Sequence, residues 1–241
     1  MTTRTQLNRL NKTQQQSVQL AIREMRTLWA SIGNLSPEWQ HDLLLDRIPQ
    51  IAERYGDIAA TAAAEWYEQT RPDGTPYEAI PYGSFNPDAI RGSVDAKAYP
   101  LLEEYGPTQA ARFLEGAMQR WVRYAGRQTI ARNCTLDPLK PRWARVPSGS
   151  KTCAFCEMLA SRGYVYTSQQ TAGALSQWHD HCDCSIVPQW DQNATTIEGY
   201  DPDLYYGRYL EAWHAAGGEG STIEQVTHWM RQLHPDAYTD A

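Results

Sequence analysis

The sequence predicts an α+β protein that is predominantly helical, with a short β-containing module in its C-terminal half. Three observations lead to this fold class. Long stretches repeat apolar residues every three or four positions, as one face of a helix does. After residue 140, short aromatic and β-branched segments stand between prolines and glycines, as strands do. The hydrophobic fraction of 41% and the aromatic fraction of 11% are typical of a globular chain.

Residues 1–70 predict a helical bundle or hairpin. The apolar face of the first helix comprises Leu7, Leu10, Val18, Ala21, Met25, Leu28 and Ile32. Gly33 ends this helix, and Pro37 stands at the first position of the second. Because an internal proline removes a backbone hydrogen bond, Pro49 is expected to kink or end the second helix. An alanine-rich helix then continues over residues 51–69.

The middle of the chain alternates between a loop and helices. Proline, glycine and asparagine crowd residues 71–93, which predicts a connection rather than a regular element. A short helix is expected from Ser93 to Tyr105, with Gly106 at its end. Pro107 then opens a long helix with an apolar face and arginines mainly on the other side.

The last hundred or so residues mix short strands with two capped helices. Strands are predicted at residues 143–146, 163–166 and 184–188. The first C-terminal helix is expected to start at Asp201-Pro202. The second is predicted to begin with a capping box formed by Ser221 and Glu224.

Five regions follow from these patterns. They are a helical bundle, a connecting loop, a helical region with a basic face, a cysteine-rich module and an acidic pair of helices. Their predicted bounds are residues 1–70, 71–92, 93–135, 136–192 and 193–241.

Charge is segregated along the chain, although the formal net charge is −6 and argues against a dedicated nucleic-acid binder. Residues 107–145 carry eight basic against two acidic side chains, and residues 191–241 carry nine acidic against two basic ones. Arg120, Arg123 and Arg127 stand at i, i+3 and i+7, so they share one helix face. We expect the acidic and basic segments to complement each other within the chain; contact with DNA phosphates is the alternative.

The compartment determines how the cysteines are interpreted. No apolar segment of the secretory type follows Met1, and no apolar run approaches the ~20 residues of a membrane helix. The protein is therefore expected to be soluble and made in a reducing cytoplasm. There, clustered cysteines are more often thiolate ligands than disulfides.

Four of the five cysteines are clustered between residues 152 and 188. Cys153 and Cys156 form a Cys-x-x-Cys pair, and His179 and Cys182 repeat the spacing, with Cys184 two residues further on. Two such pairs supply the tetrahedral sulfur and nitrogen ligands that zinc prefers. Because the candidates exceed four, the site can close fully, which favours a structural zinc. Either Cys182 or Cys184 completes the predicted tetrahedron.

Interpretations of the cluster as a catalytic site agree less well with the order of its residues. Zinc deaminases place His-x-Glu before Cys-x-x-Cys, and zincins need His-Glu-x-x-His; this chain has neither order. A thiol oxidoreductase leaves the second ligand pair unexplained. The remaining enzyme alternative is a zinc-stapled ββα nuclease, in which His179 or His181, Asp180 and a distant residue such as His214 would hold a second metal.

The same cluster resembles a known family. Its motif runs Cys-x-x-Cys, a Gly-x-Val/Phe-Tyr type strand, then His-x-x-Cys-x-Cys before Val-Pro. That order is matched, over roughly residues 140–190, by RVPSGSKTCAFCEMLASRGYVYTS and WHDHCDCSIVP. In these motifs the chain is similar to the MuF-like minor head proteins of tailed bacteriophages, of the actinobacteriophage type. The matched motif positions are Cys153, Cys156, His179, Cys182 and Cys184; His181 falls where the motif is not fixed.

The resemblance implies a non-enzymatic minor capsid protein with a structural zinc ion. Its expected partners are the portal and the capsid interior, and its expected role is to assist head assembly and DNA packaging or to leave the head with the DNA. It would reside in the virion, and in the host cytoplasm during assembly. A zinc DNA-binding module is a further alternative. The residues predicted to contact double-stranded DNA are Arg112, Arg120, Arg123 and Arg127.

Overall fold

The computed structural model confirms a predominantly helical α+β fold. It describes residues 2–72, 74, 76–83, 86–149, 151–167, 178–180 and 182–240. Within these residues the helices are α1 (Arg4–Ile32), α2 (Pro37–Thr70), α3 (Pro87–Ser93), α4 (Tyr99–Tyr105), α5 (Pro107–Leu136), α6 (Ala154–Ala160), α7 (Pro202–Ala215) and α8 (Ile223–Leu233). The strands are β1 (Arg142–Val146) and β2 (Ser185–Gln189), which pair antiparallel.

The N-terminal half is a packed helical unit built on α1, α2 and α5. Its core contains Val18, Met25, Leu44, Ile48, Leu114, Met118 and Val122. Small residues let the three helices approach closely. A Cβ at Gly126 on α5 would collide with the side chain of Gln14 and would lie 3.2 Å from the carbonyl oxygen of Ala59. Glycine is therefore required where α5 crosses α1 and α2.

The expected end of the second helix at Pro49 is wrong, because α2 runs through this residue from Pro37 to Thr70. Pro49 is itself buried, and Ile48 and Ile51 beside it belong to the apolar core. Packing on both sides of the proline thus offsets the lost backbone hydrogen bond.

Helical structure also begins earlier than expected in the middle of the chain. The side chain of Asn86 accepts hydrogen bonds from the backbone N–H groups of Asp88 and Ala89, so α3 starts at Pro87 instead of Ser93. One turn of π-helix, Val94–Ala98, then joins α3 to α4. The capping residue Asn86 lies within residues 71–93, the proline-rich segment that was predicted to be a loop.

The sheet is smaller than the sequence suggests. Ala144 faces Val187 across β1 and β2, and the predicted strand at 163–166 is wrong. Tyr166 alone continues the sheet, through two backbone hydrogen bonds with Trp143 of 2.9 and 3.2 Å. Gly163 has a φ of 70°, which interrupts the extended backbone that a strand needs.

The C-terminal helices follow their caps. Asp201 caps α7 as predicted, by accepting hydrogen bonds from the next turn. The cap of α8 lies one residue beyond the predicted position. Thr222 and Gln225 form the reciprocal capping box, and they have the same spacing as Ser221 and Glu224.

A second core joins the helical unit to the C-terminal half. It contains Leu7 of α1, Tyr67 of α2 and Ile130 of α5, together with Trp143 and Val187 of the sheet. The cysteines of the candidate metal centre belong to the same cluster. The sheet and the cysteine loops are therefore supported directly by the long helices.

Asp137 ties the end of α5 to its surroundings. Its carboxylate, fully buried, accepts hydrogen bonds from Arg71 at 2.9 and 3.0 Å, from Tyr67 at 3.0 Å and from Trp190 at 3.3 Å. The backbone N–H of Leu139 adds a fifth at 2.9 Å. This network links α2, α5 and the residue after β2.

No helix in the described ranges combines the length and the apolar character that crossing a bilayer requires.

Candidate metal centre

The first ligand pair sits at the start of α6. Cys153 is the N-cap of this helix, and its sulfur accepts a hydrogen bond from the backbone N–H of Cys156 at 3.3 Å. The Cys-x-x-Cys spacing thus places both sulfurs on one side of the first helical turn. The second pair lies on the loop that enters β2, so the pairing of β1 with β2 brings the two loops together.

The donor atoms converge within a few ångströms. The Nε2 atom of His179 lies 3.1 Å from the sulfur of Cys153 and 3.2 Å from that of Cys156. The sulfurs of Cys156 and Cys182 are 3.4 Å apart. A tetrahedral zinc with Zn–S bonds of about 2.3 Å separates its sulfur ligands by roughly 3.7 Å. These separations are therefore close to those of an ion-bound site.

Two groups of possible ligands share one residue. Cys153, Cys156 and His179 form the first, and Cys156, Cys182 and Cys184 form the second; within each group the donor atoms lie within 4.8 Å of one another. Every residue predicted to bind the metal thus belongs to one of these groups. Cys182 and Cys184 are both buried beside Cys156, so both remain possible fourth ligands.

The ring of His179 is oriented by the backbone carbonyl of the next residue. Its Nδ1 atom lies 2.7 Å from the carbonyl oxygen of Asp180, which makes Nδ1 the protonated nitrogen and leaves Nε2 facing the sulfurs. Hydrogen bonding with Cys156 and His179 lowers the pKa of Cys153 to about 6, and hydrogen bonding with Cys153 raises the pKa of His179 to about 9. Only a neutral imidazole and a thiolate can bind a metal, so a metal ion bound here would take the place of a proton on Nε2 of His179.

The nuclease alternative does not gain a second site in the described part of the chain. Asp180 forms an ion pair with Arg120 at 3.2 Å, and His214 packs against Trp213 on α7. Neither belongs to a ligand group. His181, the other histidine considered for this role, lies outside the described residues.

Two arginines of the predicted DNA-binding stripe face inward. Arg123 and Arg127 are buried, whereas Arg112 is exposed and Arg120 is partly exposed. The spacing correctly predicted a shared face, but that face is covered by the cysteine loops. The DNA contact therefore stays a prediction that depends on Arg112 and Arg120.

Arg127 binds the loop that carries the second ligand pair. Its Nε and Nη2 atoms donate to the carbonyl oxygens of Cys184 and Cys182, each at 2.9 Å. Its guanidinium also lies 4.1 Å from the ring centre of Trp178, and that of Arg145 lies 3.7 Å from the same centre. Neither arginine was predicted from the sequence as part of the metal site. The local sequence pattern does not show which distant carbonyl groups or rings a buried guanidinium will contact.

The C-terminal segment is fastened to the first ligand loop. The N–H of Thr239 donates to the carbonyl oxygen of Thr152, and the side chain of Asp240 accepts from the N–H of Ala154, both at 3.0 Å. These bonds flank Cys153 on either side. The last residues of the fold therefore help to fix the position of one candidate ligand.

Tyr238→Phe tests how strongly this segment is held. The Tyr238 hydroxyl donates to the buried carboxylate of Glu157 at 2.8 Å, opposite an ion pair from Arg208 at 3.0 Å. Because removal of the hydroxyl leaves a buried charge with one fewer donor, we expect the free energy of unfolding to fall by about 1–3 kcal/mol. Urea denaturation measures this. Tyr206→Phe, at a largely exposed position, should change it by less than about 0.5 kcal/mol, and equal effects would contradict the prediction.

A cavity of about 820 Å³ adjoins the centre. Its lining includes Ser148, Lys151, Cys153, Phe155, His179 and Arg231. Cys153 and His179 thus contact solvent on one side, while Cys156 and Cys182 are buried. This side gives a metal ion or a chelator its route to the site.

Comparison with known proteins finds that the chain is similar to proteins encoded by phages. Residues 1–212 match the family described as VG15 protein. The chain is similar to the Gene 15 protein of Mycobacterium phage D29, with 30% identity over 154 residues that cover 51% of this chain and 54% of that protein. It is also similar to the Gene 15 protein of Mycobacterium phage L5, with 27% identity over 77% of this chain and 75% of that protein. The match thus spans about half the length of the D29 protein. No solved structure matches the chain.

Proposed function

This chain belongs to the VG15 protein family of phage-encoded proteins, and on that premise we propose that it is a non-enzymatic virion component with a structural zinc ion. The observation that carries the proposal is that four cysteines and one histidine form two adjoining groups of donor atoms that share Cys156. Thiolate and imidazole donors together suit zinc better than they suit magnesium or calcium.

Burial supports a structural ion. Cys156, Cys182 and Cys184 are between 0% and 3% exposed, and the candidate donors are enough to close a tetrahedron without water. A bound ion would tie α6 to the loop before β2. Since the two-stranded sheet buries little surface by itself, this link would contribute directly to folding.

A place in the phage head follows from the resemblance to MuF-like minor head proteins. In that role the protein would associate with the portal inside the capsid, and would assist assembly and DNA packaging or leave with the DNA. Trp39 is 65% exposed and Leu35 is 43% exposed near the turn between α1 and α2. Because tryptophan is enriched at protein interfaces, the exposed Trp39 supports contact with a larger assembly.

The location can be tested in phage particles. We expect antibody against the protein to detect it, at low copy number, in virions purified by density gradient and treated with protease on the outside. Crosslinking followed by mass spectrometry should join it to the portal. Recovery of the protein only from the soluble lysate, with none in particles, would contradict the proposal.

An activity assay separates the proposal from the nuclease alternative. Purified protein is expected to leave plasmid DNA intact in the presence of added Mg²⁺. Cleavage by the wild type that disappears in an Asp180→Ala and His181→Ala double variant would show an enzyme instead. Replacement of Asp236, an exposed acid on the C-terminal segment, by asparagine is the matched control for that variant.

A further inference from the structure

Two buried arginine side chains lie beside the candidate metal centre. Arg127 and Arg145 are 2% and 1% exposed, and both guanidinium groups lie over the Trp178 ring. Removing a guanidinium from water costs several kcal/mol unless negative charge and hydrogen bonds compensate. Groups that supply hydrogen bonds or negative charge are therefore expected beside these guanidinium groups.

Among the described residues, no carboxylate forms a hydrogen bond or ion pair with Arg127. Its two hydrogen bonds end on neutral carbonyl oxygens, those of Cys182 and Cys184, and its Nη1 atom is buried without a hydrogen-bond partner in the described residues. The residues whose carbonyls it binds, Cys182 and Cys184, also carry two of the candidate ligand sulfurs. A divalent ion bound by three or four cysteine thiolates carries a net charge of −1 or −2, which a buried arginine beside it can balance.

The Cys182–Cys184 segment is also held by the side chain of Asp183. Asp183 accepts a hydrogen bond from the Thr152 hydroxyl at 2.6 Å and from the N–H groups of Ser148 and Gly149 at 3.2 and 3.1 Å. Its side chain thus attaches the second ligand pair to the loop of the first. Arg127 attaches the backbone of the same segment to α5.

We propose that Arg127 is a positioning residue of the metal centre: its two donors fix the Cys182–Cys184 segment in the conformation that binds the ion, and its charge offsets that of the thiolates. This inference depends on the zinc site proposed above. The long helix α5 thereby contributes to a site whose ligands all lie outside it. The guanidinium is needed because a lysine ammonium presents its three donors from one nitrogen and cannot span two carbonyls with a planar fork.

The test compares zinc affinity in two variants and a control. Competition with a chromogenic chelator should show zinc affinity weakened by about 10-fold in Arg127→Lys and by up to about 100-fold in Arg127→Met, the range found for residues that orient metal ligands. Arg112→Met, an exposed arginine on the same helix, should retain wild-type affinity. The Co²⁺ form should lose intensity in its sulfur-to-cobalt charge-transfer band in the Arg127 variants, whereas the control should keep it.

Thermal unfolding with and without zinc distinguishes positioning from general support. If Arg127 positions the ligands, the increase in melting temperature caused by zinc should be smaller in Arg127→Lys than in the wild type. A variant with lower stability but with wild-type zinc affinity and an unchanged Co²⁺ spectrum would overturn the inference and leave the zinc site standing. Should Arg127→Met fail to fold, Arg127→Lys decides alone. Failure of the wild type to bind zinc would overturn this inference together with the proposed function.

Discussion

Cys156→Ser is expected to abolish stoichiometric zinc binding and to destabilise the module that contains β1, α6 and β2. Cys156 is the residue shared by both ligand groups, and its sulfur lies within 3.4 Å of both His179 and Cys182. Structural zinc contributes about 10–16 kcal/mol of apparent binding free energy in small zinc modules. Loss of a central ligand should therefore lower the free energy of unfolding by several kcal/mol. Elemental analysis and urea denaturation measure the two effects.

Cys134→Ala provides the matched control. Cys134 is also buried, on α5, but among the described residues it belongs to neither ligand group. Burial raises its pKa, so it stays a neutral thiol. This variant should keep one zinc per chain, like the wild type. Retention of one zinc at wild-type affinity by Cys156→Ser would show that the cysteines are not the ligands.

The proximity of the candidate ligands within each pair could be predicted from the sequence because their spacing is local. A Cys-x-x-Cys at a helix start and a His-x-x-Cys before a strand each need only one turn of backbone to bring their donors together. The fold class was predictable for a similar reason, since long apolar periodicities predict α1, α2 and α5. What joins the two ligand pairs is the antiparallel register of Ala144 with Val187, which no local pattern reveals.

The errors arose where tertiary packing overrides a local pattern. Arg127 has the spacing of a surface stripe, yet the loop that covers it comes from residues more than fifty positions later. Pro49 breaks isolated helices, but here apolar contacts hold α2 together around it. Val165 has a strand composition, but it is 55% exposed and follows a glycine that turns the chain. For Arg127 and Pro49 the deciding interactions involve residues distant in sequence, whereas at Val165 the deciding feature is the nearby Gly163.

Replacement of Asp137 by alanine is expected to lower the free energy of unfolding by about 3–5 kcal/mol, because it removes the buried carboxylate that forms an ion pair with Arg71. Arg71 is 6% exposed and makes two hydrogen bonds with this carboxylate. Tyr67 and Trp190 lose an acceptor as well. Urea denaturation at neutral pH measures the loss. Asp236→Ala, at an exposed site, should change the free energy of unfolding by less than about 0.5 kcal/mol.

The effect of Asp137 should also depend on pH. Burial acts to raise the pKa of the carboxyl, but hydrogen bonds from Arg71, Leu139, Trp190 and Tyr67 outweigh burial and lower it. A carboxyl whose pKa is lower in the folded state stabilises the fold above its unfolded pKa of about 3.9, and this contribution disappears as pH falls through the folded pKa. The stability difference between the wild type and Asp137→Asn should therefore be full at pH 7 and should shrink below about pH 4.

A double variant separates the ion pair from the rest of the network. If most of the loss in Asp137→Ala comes from breaking the ion pair with Arg71, then Arg71→Met combined with Asp137→Ala should be less destabilised than the sum of the two single variants. The expected coupling is about 1–3 kcal/mol, the range for residues that share one hydrogen-bond network. Strict additivity would mean that the tyrosine and tryptophan donors, not Arg71, make Asp137 necessary. The end of α5 would then depend on the aromatic contacts that join α2 to the chain after β2.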